Sequence, residues 1–567
     1  MDRLADFLHG FPALCLFLSI LLGTIIGRVH VKGVGFGNVV GTLIAGMIIG
    51  IFAKPDLPEL LRWIFFYLFL FSVGYSVGPQ FFGSLKKEAL PQIILSLIVA
   101  VTGLVTVITV SVIFDLDEGL AVGVLSGGMT QSAALGTGLS AIADLPMAAD
   151  AKATLAAHAP LADAITYGFG DLGLILFLTW LGPRLMGADL KAEAKVLERQ
   201  LAGDRPAGPV FSGAHIAVRA YVVQNAQVAG TTVAALERRY AEARLSVQRL
   251  QRAGELLKPS ADLTLREGDR LVLAAQRGAF LSADKDIGPE INDPALLSIP
   301  VTTVAVVVTN DRVIGQHLGD LGQGPEARGV YLVSLKRGSE LMPRESWTVL
   351  ERGDIVQITG APEDLERAAK HIGFVERDLS RTDLTILAGG VAAGMLLGLL
   401  KIDAGGVALG LGTAGSILVV GLIAGWARSR NPVFGAIPEP AQRLLMDIGL
   451  IVFIAVVGLQ AGPHAVEAYE ASGGEFFGSI LVAGMIVTVM PLTVGTLCAR
   501  YVLKMSPLIT LGSLAGAQTC TPGLTALRDA SGSNVASLAY TVPYAVNNII
   551  LTVWGPVVVA IVHALRG

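Results

Sequence analysis

Two stretches decide the fold: Gly127-Gly-Met-Thr130-Gln131-Ser132-Ala-Ala-Leu135 and, far along the chain, Gly516-Ala-Gln-Thr519-Cys520-Thr521-Pro522-Gly-Leu524. Both set a Thr-x-Ser/Thr step among small residues, inside segments (118–142 and 506–530) too polar and Gly-rich to be plain lipid-facing helices. A backbone that leaves helical geometry within a membrane is tolerated only where it is buried in protein or lines a wet cavity. Clustered Gly, Thr, Ser and Pro predict such a break at Thr130–Ala133 and at Thr519–Pro522. Small-residue helix crossings, with hydroxyls bonded to their own backbone, are the alternative. Against it, the pattern occurs once in each half at matching positions.

Working outward, the matches continue. Phe71-Ser-Val-Gly74-Tyr-Ser-Val-Gly78-Pro79-Gln80 aligns with Ala455-Val-Val-Gly458-Leu-Gln-Ala-Gly462-Pro463-His464. Gly46-x-x-x-Gly50 aligns with Gly421-x-x-x-Gly425, and Tyr167-x-x-x-Asp171 with Tyr544-x-x-x-Asn548. Taken singly these spacings are common in membrane helices; in one order they indicate duplication. The Gly pairs read first as close helix packing. Gln80 and His464 read as loop residues at span ends.

Apolar runs long enough to cross a bilayer fall at about 11–29, 36–53, 61–82, 89–114 and 160–185, and again at about 384–402, 406–427, 443–463, 475–499 and 536–564. With 53% hydrophobic and 16% charged residues, much of the surface must face something other than water. The first run is followed by more spans and reads as a retained helix, not a cleaved leader. Short loops rich in Lys and Arg stay cytoplasmic. Arg28–Lys32, Lys86-Lys87, Arg428–Arg430 and Arg500–Lys504 therefore place both termini outside and the central domain inside. That parity needs an odd number of crossings per half, five if the motif segments dip in and return, and makes the halves inverted copies. The expected fold is a polytopic α-helical membrane protein with an inverted repeat of about five spans plus a broken or re-entrant segment per half.

A net charge of −4 without a basic stripe points to no nucleic-acid partner, and Cys15, Cys498 and Cys520 have neither metal-ligand nor disulfide spacing. No metal or cofactor site is expected. A broken helix frees N–H groups that favour anions, and the hydroxyls of Thr130, Ser132, Thr519 and Thr521 add donors suited to a carboxylate. Asp171 lies inside an apolar run, as do Asn547 and Asn548 in the matching helix. An intramembrane carboxylate is a functional candidate by default: it binds a coupling cation, titrates or holds a substrate amine, or else pairs with a neighbour for structure. Tyr167, one turn earlier on the same face, and Tyr544 fit packing and ligand contact equally. No Arg lies at the centre of a span. Arg528, just after the second motif, is the side chain best placed for a substrate carboxylate, unless it is an ordinary interfacial charge.

Between the halves, Lys191–Leu201 reads as a polar helical linker and Arg205–Pro209 as a break. Two similar units follow. Arg252-Ala-Gly254, Pro259, Leu265 and Gly268-Asp269 in one correspond to Arg337-Gly338, Pro343, Leu350 and Gly353-Asp354 in the other. Ile216–Val223 and Val301–Val308 read as opening strands, Leu271–Ala274 and Ile355–Ile358 as later ones. Small α+β modules result, without a phosphate-cradling loop or clustered catalytic residues, so an enzyme fused to a membrane anchor is disfavoured. The domain boundaries are 1–187, 205–288, 296–376 and 383–567.

The paired Gly-x-x-Thr-x-[Ser/Thr] motifs, the Gly-x-x-x-Gly-Pro steps and the two inserted modules resemble the aspartate:alanine exchanger family of prokaryotic transporters, along essentially the whole chain. The modules resemble the C-terminal RCK (TrkA-C type) domains of potassium-channel regulators. The resemblance implies an inner-membrane antiporter exchanging aspartate for alanine, or a relative moving a dicarboxylate such as succinate. Coupled to decarboxylation, such exchange moves negative charge inward and consumes a proton. It further implies elevator-like motion and a homodimer, with a small-molecule ligand for the modules. The family's motif positions map to Thr130, Gln131 and Ser132, and to Thr519, Cys520, Thr521 and Pro522. Gln131 and Cys520 replace the family's Asn, and Ala133 replaces the first Pro, which bears on substrate identity. The competing reading is a cation-coupled permease or channel gated by ligand binding to the modules, which requires a continuous polar path.

Overall fold

The computed structural model describes the chain apart from residues 1–6, 29, 32–33, 36, 84–88, 203–215, 241–244, 277–279, 281–282, 299–301, 339, 377–381, 401, 405–406, 410–411, 432–434 and 567. Lys32, Lys86-Lys87 and Arg205–Pro209 thus lie outside the described residues. The chain divides into two units, Met1–Glu198 with Leu379–Gly567, and Arg199–Asp378.

The first unit is helical. Its first half comprises α1 (Pro12–Gly27), α2 (Gly37–Ala53), α3 (Glu59–Gly83), α4 (Leu90–Ile113), the short α5 (Glu118–Gly128) and α6 (Ser132–Asp144), and α7 (Ala149–Leu176), which runs on through a π turn to Met186. A polar helix, α8 (Leu190–Ala202), follows. The second half repeats the order: α9 (Leu384–Gly398), α10 (Gly412–Arg430), α11 (Glu439–Tyr501), α12 (Pro507–Ala517), α13 (Thr521–Ser531) and α14 (Thr541–Arg566). Gly473, at φ 68 and ψ −170, breaks α11 into two arms, a backbone state open to Gly because it has no Cβ. Among the described residues, six helices are long and apolar enough to cross a membrane: Glu59–Phe82, Leu90–Ile113, Ala149–Met186, Glu439–His464, Gly473–Tyr501 and Thr541–Arg566.

Several boundaries differ from those expected. The span expected from about 160 begins at Ala149, because Pro160 is accommodated inside α7. The span expected from about 406 begins at Gly412; the residues before it form a small antiparallel hairpin, Ile402–Ala404 with Val407–Leu409. A matching hairpin, His30–Val31 with Val34–Gly35, joins α1 to α2.

The glycine steps set how the halves interlock. A Cβ on Gly50 would lie 2.2 Å from the Leu459 carbonyl oxygen, and one on Gly462 2.2 Å from that of Met47. In the matching contact, a Cβ on Gly78 would lie 2.2 Å from the Leu422 carbonyl and one on Gly425 2.0 Å from that of Tyr75. Helix α2 therefore docks on the first arm of α11, and α10 on α3, backbone to backbone. This is the close packing the spacing predicts.

Both short-helix pairs are hairpins. Gly123 faces Ala159 and Gly127 faces Thr166, so α5 runs alongside α7 in the same direction, while Gly138 faces Val122, so α6 turns back along α5. Likewise Gly512 faces Ala536 and Gly516 faces Tyr540. Thr521 pairs with Tyr540 and Arg528 with Ser537, so α13 turns back along α12.

The second unit holds two antiparallel five-stranded sheets of one topology. Strands β1 (Ile216–Val222), β2 (Ser246–Arg252), β3 (Glu255–Leu257), β4 (Arg270–Gln276) and β5 (Glu290–Ile291) lie in the order β3-β2-β4-β1-β5. Strands β6 (Thr302–Val308), β7 (Val330–Arg337), β8 (Glu340–Leu341), β9 (Ile355–Gly360) and β10 (Gly373–Glu376) lie in the order β8-β7-β9-β6-β10. Each repeated Arg and Gly-Asp step closes one ion pair. Arg252 donates to both Asp269 oxygens at 2.8 Å, and Arg337 to those of Asp354 at 2.8 and 2.9 Å. Burial works against the Arg337 charge, but the Asp354 carboxylate and Glu351 hold the guanidinium above its ordinary pKa. Between the modules, Arg328 donates to Glu237 at 2.8 Å and Ser246 pairs with Tyr331 at 3.1 Å.

Removing one partner of a buried pair strands the other. Arg337→Ala is expected to cost about 3–5 kcal/mol in the second module, and Arg252→Ala less, since its side chain is 21% exposed against 9% for Arg337. Hydrogen exchange on the full-length protein checks this: β7 and β9 lose protection in Arg337→Ala, and unchanged protection contradicts it.

Candidate functional site

The two hairpin turns share one backbone design. The N–H of Gln131 bonds the Ser126 carbonyl at 2.8 Å and that of Thr130 the Gly127 carbonyl at 3.2 Å; Cys520 and Thr519 repeat this on Ala515 and Gly516 at 3.1 and 2.8 Å. These are Schellman closures, whose pivotal residue is usually Gly in the left-handed region. Here the pivots are Thr130 at φ 52 and Thr519 at φ 51. A β-branched residue there is strained, at a cost of roughly 1–3 kcal/mol.

What holds the strained turns is each other. Thr130 Oγ1 donates to the Gln518 carbonyl at 2.6 Å, and Thr519 Oγ1 to the Thr130 carbonyl at 3.4 Å. The hairpins meet tip to tip. The Thr130 hydroxyl, expected to turn toward a ligand, is instead committed to a carbonyl that the neighbouring turn leaves open. Gln518, fully buried, also donates to the Thr488 carbonyl at 3.2 Å, and Thr488 in turn donates to the Gly128 carbonyl at 2.9 Å.

The next residue of each turn reaches across to the other half. Gln131 Nε2 donates to the carbonyl and Oδ1 of Asn548 at 3.2 and 3.4 Å, and Cys520 Sγ donates to Asp171 Oδ1 at 3.3 Å. Gln131 matches Cys520 in sequence and Asn548 matches Asp171, so the pairs are equivalent and crossed. Asn547, beside Asn548, donates to the Ala517 carbonyl at 2.7 Å.

Of the other expected residues, Tyr167 is within interaction range of Ser132, Asp171 and Cys520. Thr521 pairs with the Tyr540 hydroxyl at 3.0 Å, and Tyr540 stacks on Tyr544 with centroids 5.2 Å apart. Thr521 and Pro522 are exposed at the α13 start. Arg528 lies in the last turn of α13, where its Nε donates to Ser537 at 2.7 Å. At 1.5 Å per residue, that is roughly 10 Å along the helix from Thr521. Helix α6 starts with no side-chain cap, so its first N–H groups remain available. Among the described residues no group of three or more His, Cys, Asp or Glu could hold a metal. Sequence reasoning missed Gln518 and did not anticipate the burial of Asp163, which is 0% exposed.

Membrane-length helices around two tip-to-tip backbone breaks, the first buried and the second partly exposed, define an integral membrane protein with the architecture of a permease. The family model described as Predicted Permease Membrane Region (Asp-Al_Ex) matches residues 15–183 and 386–560, and that of the TrkA-C domain matches 218–288 and 303–373. The chain belongs to the Asp-Al_Ex permease family and carries two TrkA-C domains. An uncharacterized transporter of Bordetella bronchiseptica is 47% identical, covering 100% of this chain and 99% of the relative. Others from Bradyrhizobium diazoefficiens and Shewanella oneidensis are 38% and 33% identical, each over 99% of this chain and covered to 99% and 100% themselves. The protein is a multi-pass membrane transporter.

Thr130→Val keeps the branched shape and removes the hydroxyl, leaving the Gln518 carbonyl short of a partner at a cost of about 1–3 kcal/mol. Thermal unfolding of the purified protein should show a lower melting temperature for Thr130→Val and near-native behaviour for Thr130→Ser. Equal melting of the two variants contradicts the tip-to-tip bond.

Proposed function

We propose that the protein is an antiporter exchanging aspartate for alanine, or a related amino acid or dicarboxylate, with substrate bound between the two hairpin tips. The observation that carries this is the meeting of two strained helix breaks that bring the starts of α6 and α13 together. Helix N-termini favour anions because their N–H groups are unpaired and the dipole is positive there. A carboxylate-bearing substrate fits that chemistry. The crossed pairs, Gln131 with Asn548 and Cys520 with Asp171, would shape the rest of the pocket.

Helix directions support two inverted copies. Helix α5 begins beside the end of α14, since Glu118 pairs with His563 at 2.7 Å, and its turn reaches Asn548 near the α14 start. It runs against α14, whereas α12 runs with it. Two hairpins entering from opposite sides fit alternating access around a fixed midplane site. On this reading each half crosses five times, in the prokaryotic inner membrane, with both termini outside and the TrkA-C domains cytoplasmic. A homodimer with elevator-like motion completes the proposal.

Counterflow in proteoliposomes separates an antiporter from a channel: uptake of labelled aspartate should require alanine, aspartate or a dicarboxylate inside, and uptake into empty vesicles as fast as into loaded ones would reject exchange. Ser132→Asp supplies its own carboxylate to the α6 start. It should remove the thermal stabilisation that aspartate gives, about 2.7 kcal/mol at a hundred times Kd, while Ser132→Ala retains part of it. Full stabilisation of Ser132→Asp would move the site elsewhere.

A further inference from the structure

Asp163, on α7, is fully buried, and both of its carboxyl oxygens lack a hydrogen bond. Its backbone packs against the glycine face of α5: a Cβ on Gly123 would lie 2.8 Å from its nitrogen, and one on Gly127 2.9 Å from its carbonyl oxygen. Ser126 is the polar side chain nearest the carboxyl, but its hydroxyl donates to the Gln131 carbonyl at 3.2 Å.

Among the described residues no cation pairs with this carboxyl. Among the described residues, Tyr167 is the titratable side chain that interacts with it. On α7, His158 is bound to Asp117 at 2.5 Å; on α5, Glu118 is bound to His563. Helix α2 has no charged residue, and α6 has only Asp144, at its end. The second arm of α11 meets α7 where Gly484 faces Thr166. Its charges, Glu475 and Arg500, are roughly 14 and 24 Å away along that helix. The first arm carries Glu439, Arg443, Asp447, His464 and Glu470, and α13 carries Arg528 and Asp529; among the described residues none of these interacts with the Asp163 carboxyl. An ionised carboxylate without partners is costly to bury, and intramembrane carboxylates mark ion or proton pathways.

We propose that Asp163 is the proton-carrying site of this transporter: it takes up one proton as the carboxylic acid in the closed packing described above, and releases it when rearrangement at the first hairpin admits water. Two neighbours relate it to the motif: Ser126, whose hydroxyl donates to the Gln131 carbonyl, and Tyr167, one turn along α7, which interacts with both Asp163 and Ser132. Movement of the first hairpin therefore changes what Asp163 faces. The protonated carboxyl has the donor that Ser126 Oγ can accept, whereas the carboxylate does not.

The coupling role rests on the antiport reading; the proton itself does not, so two measurements separate them. Infrared titration of the full-length protein in liposomes should show the carbonyl stretch of a protonated carboxylic acid near neutral pH. That band should be lost in Asp163→Asn and kept in Asp171→Asn. A band unchanged by Asp163→Asn overturns the proposal, as does one abolished by replacing choline with sodium. In the same vesicles, an entrapped pH dye should record proton movement with exchange in the wild type and its loss in Asp163→Asn. Counterflow without proton movement in the wild type overturns the coupling role while leaving antiport standing. If no substrate shows counterflow, antiport fails and the infrared result alone decides Asp163. Should Asp163→Asn not fold, Asp163→Glu must shift the band, and an unshifted band has the same adverse meaning.

Discussion

Peptide groups must be satisfied where water does not reach them, and the rest of this architecture depends on how two threonines meet that demand. Thr130 and Thr519 hold the left-handed conformation that ends α5 and α12, a state that glycine adopts without strain and threonine does not. The hydroxyl accounts for the choice. Glycine would relax the turn but supply nothing to the opposing one, while Thr130 donates to the Gln518 carbonyl. Local strain accompanies a bond between the halves.

Beside that bond stand the glycine steps. Contacts of Gly50 and Gly462, and of Gly78 and Gly425, bring α2 and α10 into backbone contact with helices of the other half. The half-to-half interface is thus built from atoms that tolerate no added methyl group. At the tips polar side chains make the contact, Gln131 and Cys520 crossing to Asn548 and Asp171. A transporter needs a packed frame and a polar centre that can change partners; the division between glycine contacts and tip hydrogen bonds supplies both. The TrkA-C domains follow a different logic, each closed by a buried Arg–Asp pair.

Much of this was legible in the sequence. Helix breaks at Thr130–Ala133 and Thr519–Pro522 could be read because Gly, Thr and Pro sit where an apolar helix would not place them. The glycine contacts were legible because duplication shows each spacing twice. Crossed pairing was not: whether Cys520 meets Asp171 or Asn548 depends on how the copies are oriented, which residue spacing alone does not encode. Nor was the burial of Asp163, since a lone carboxyl in an apolar run looks alike whether it faces an interface or a glycine face. The hairpin at Ile402–Leu409 escaped because strands of three residues carry no periodicity. In the modules the repeated Arg and Gly-Asp steps were visible, but their union as ion pairs needed the register of β2 on β4 and β7 on β9.

The most direct test is a cryo-electron microscopy map of the protein in lipid nanodiscs with saturating aspartate, set beside one without it. Added density is predicted between the two turns, touching the first backbone N–H groups of α6 and the Thr521 N–H of α13, with α5 and α12 entering from opposite faces of the bilayer. Density bound elsewhere, or α5 running unbroken into α6, would contradict the account.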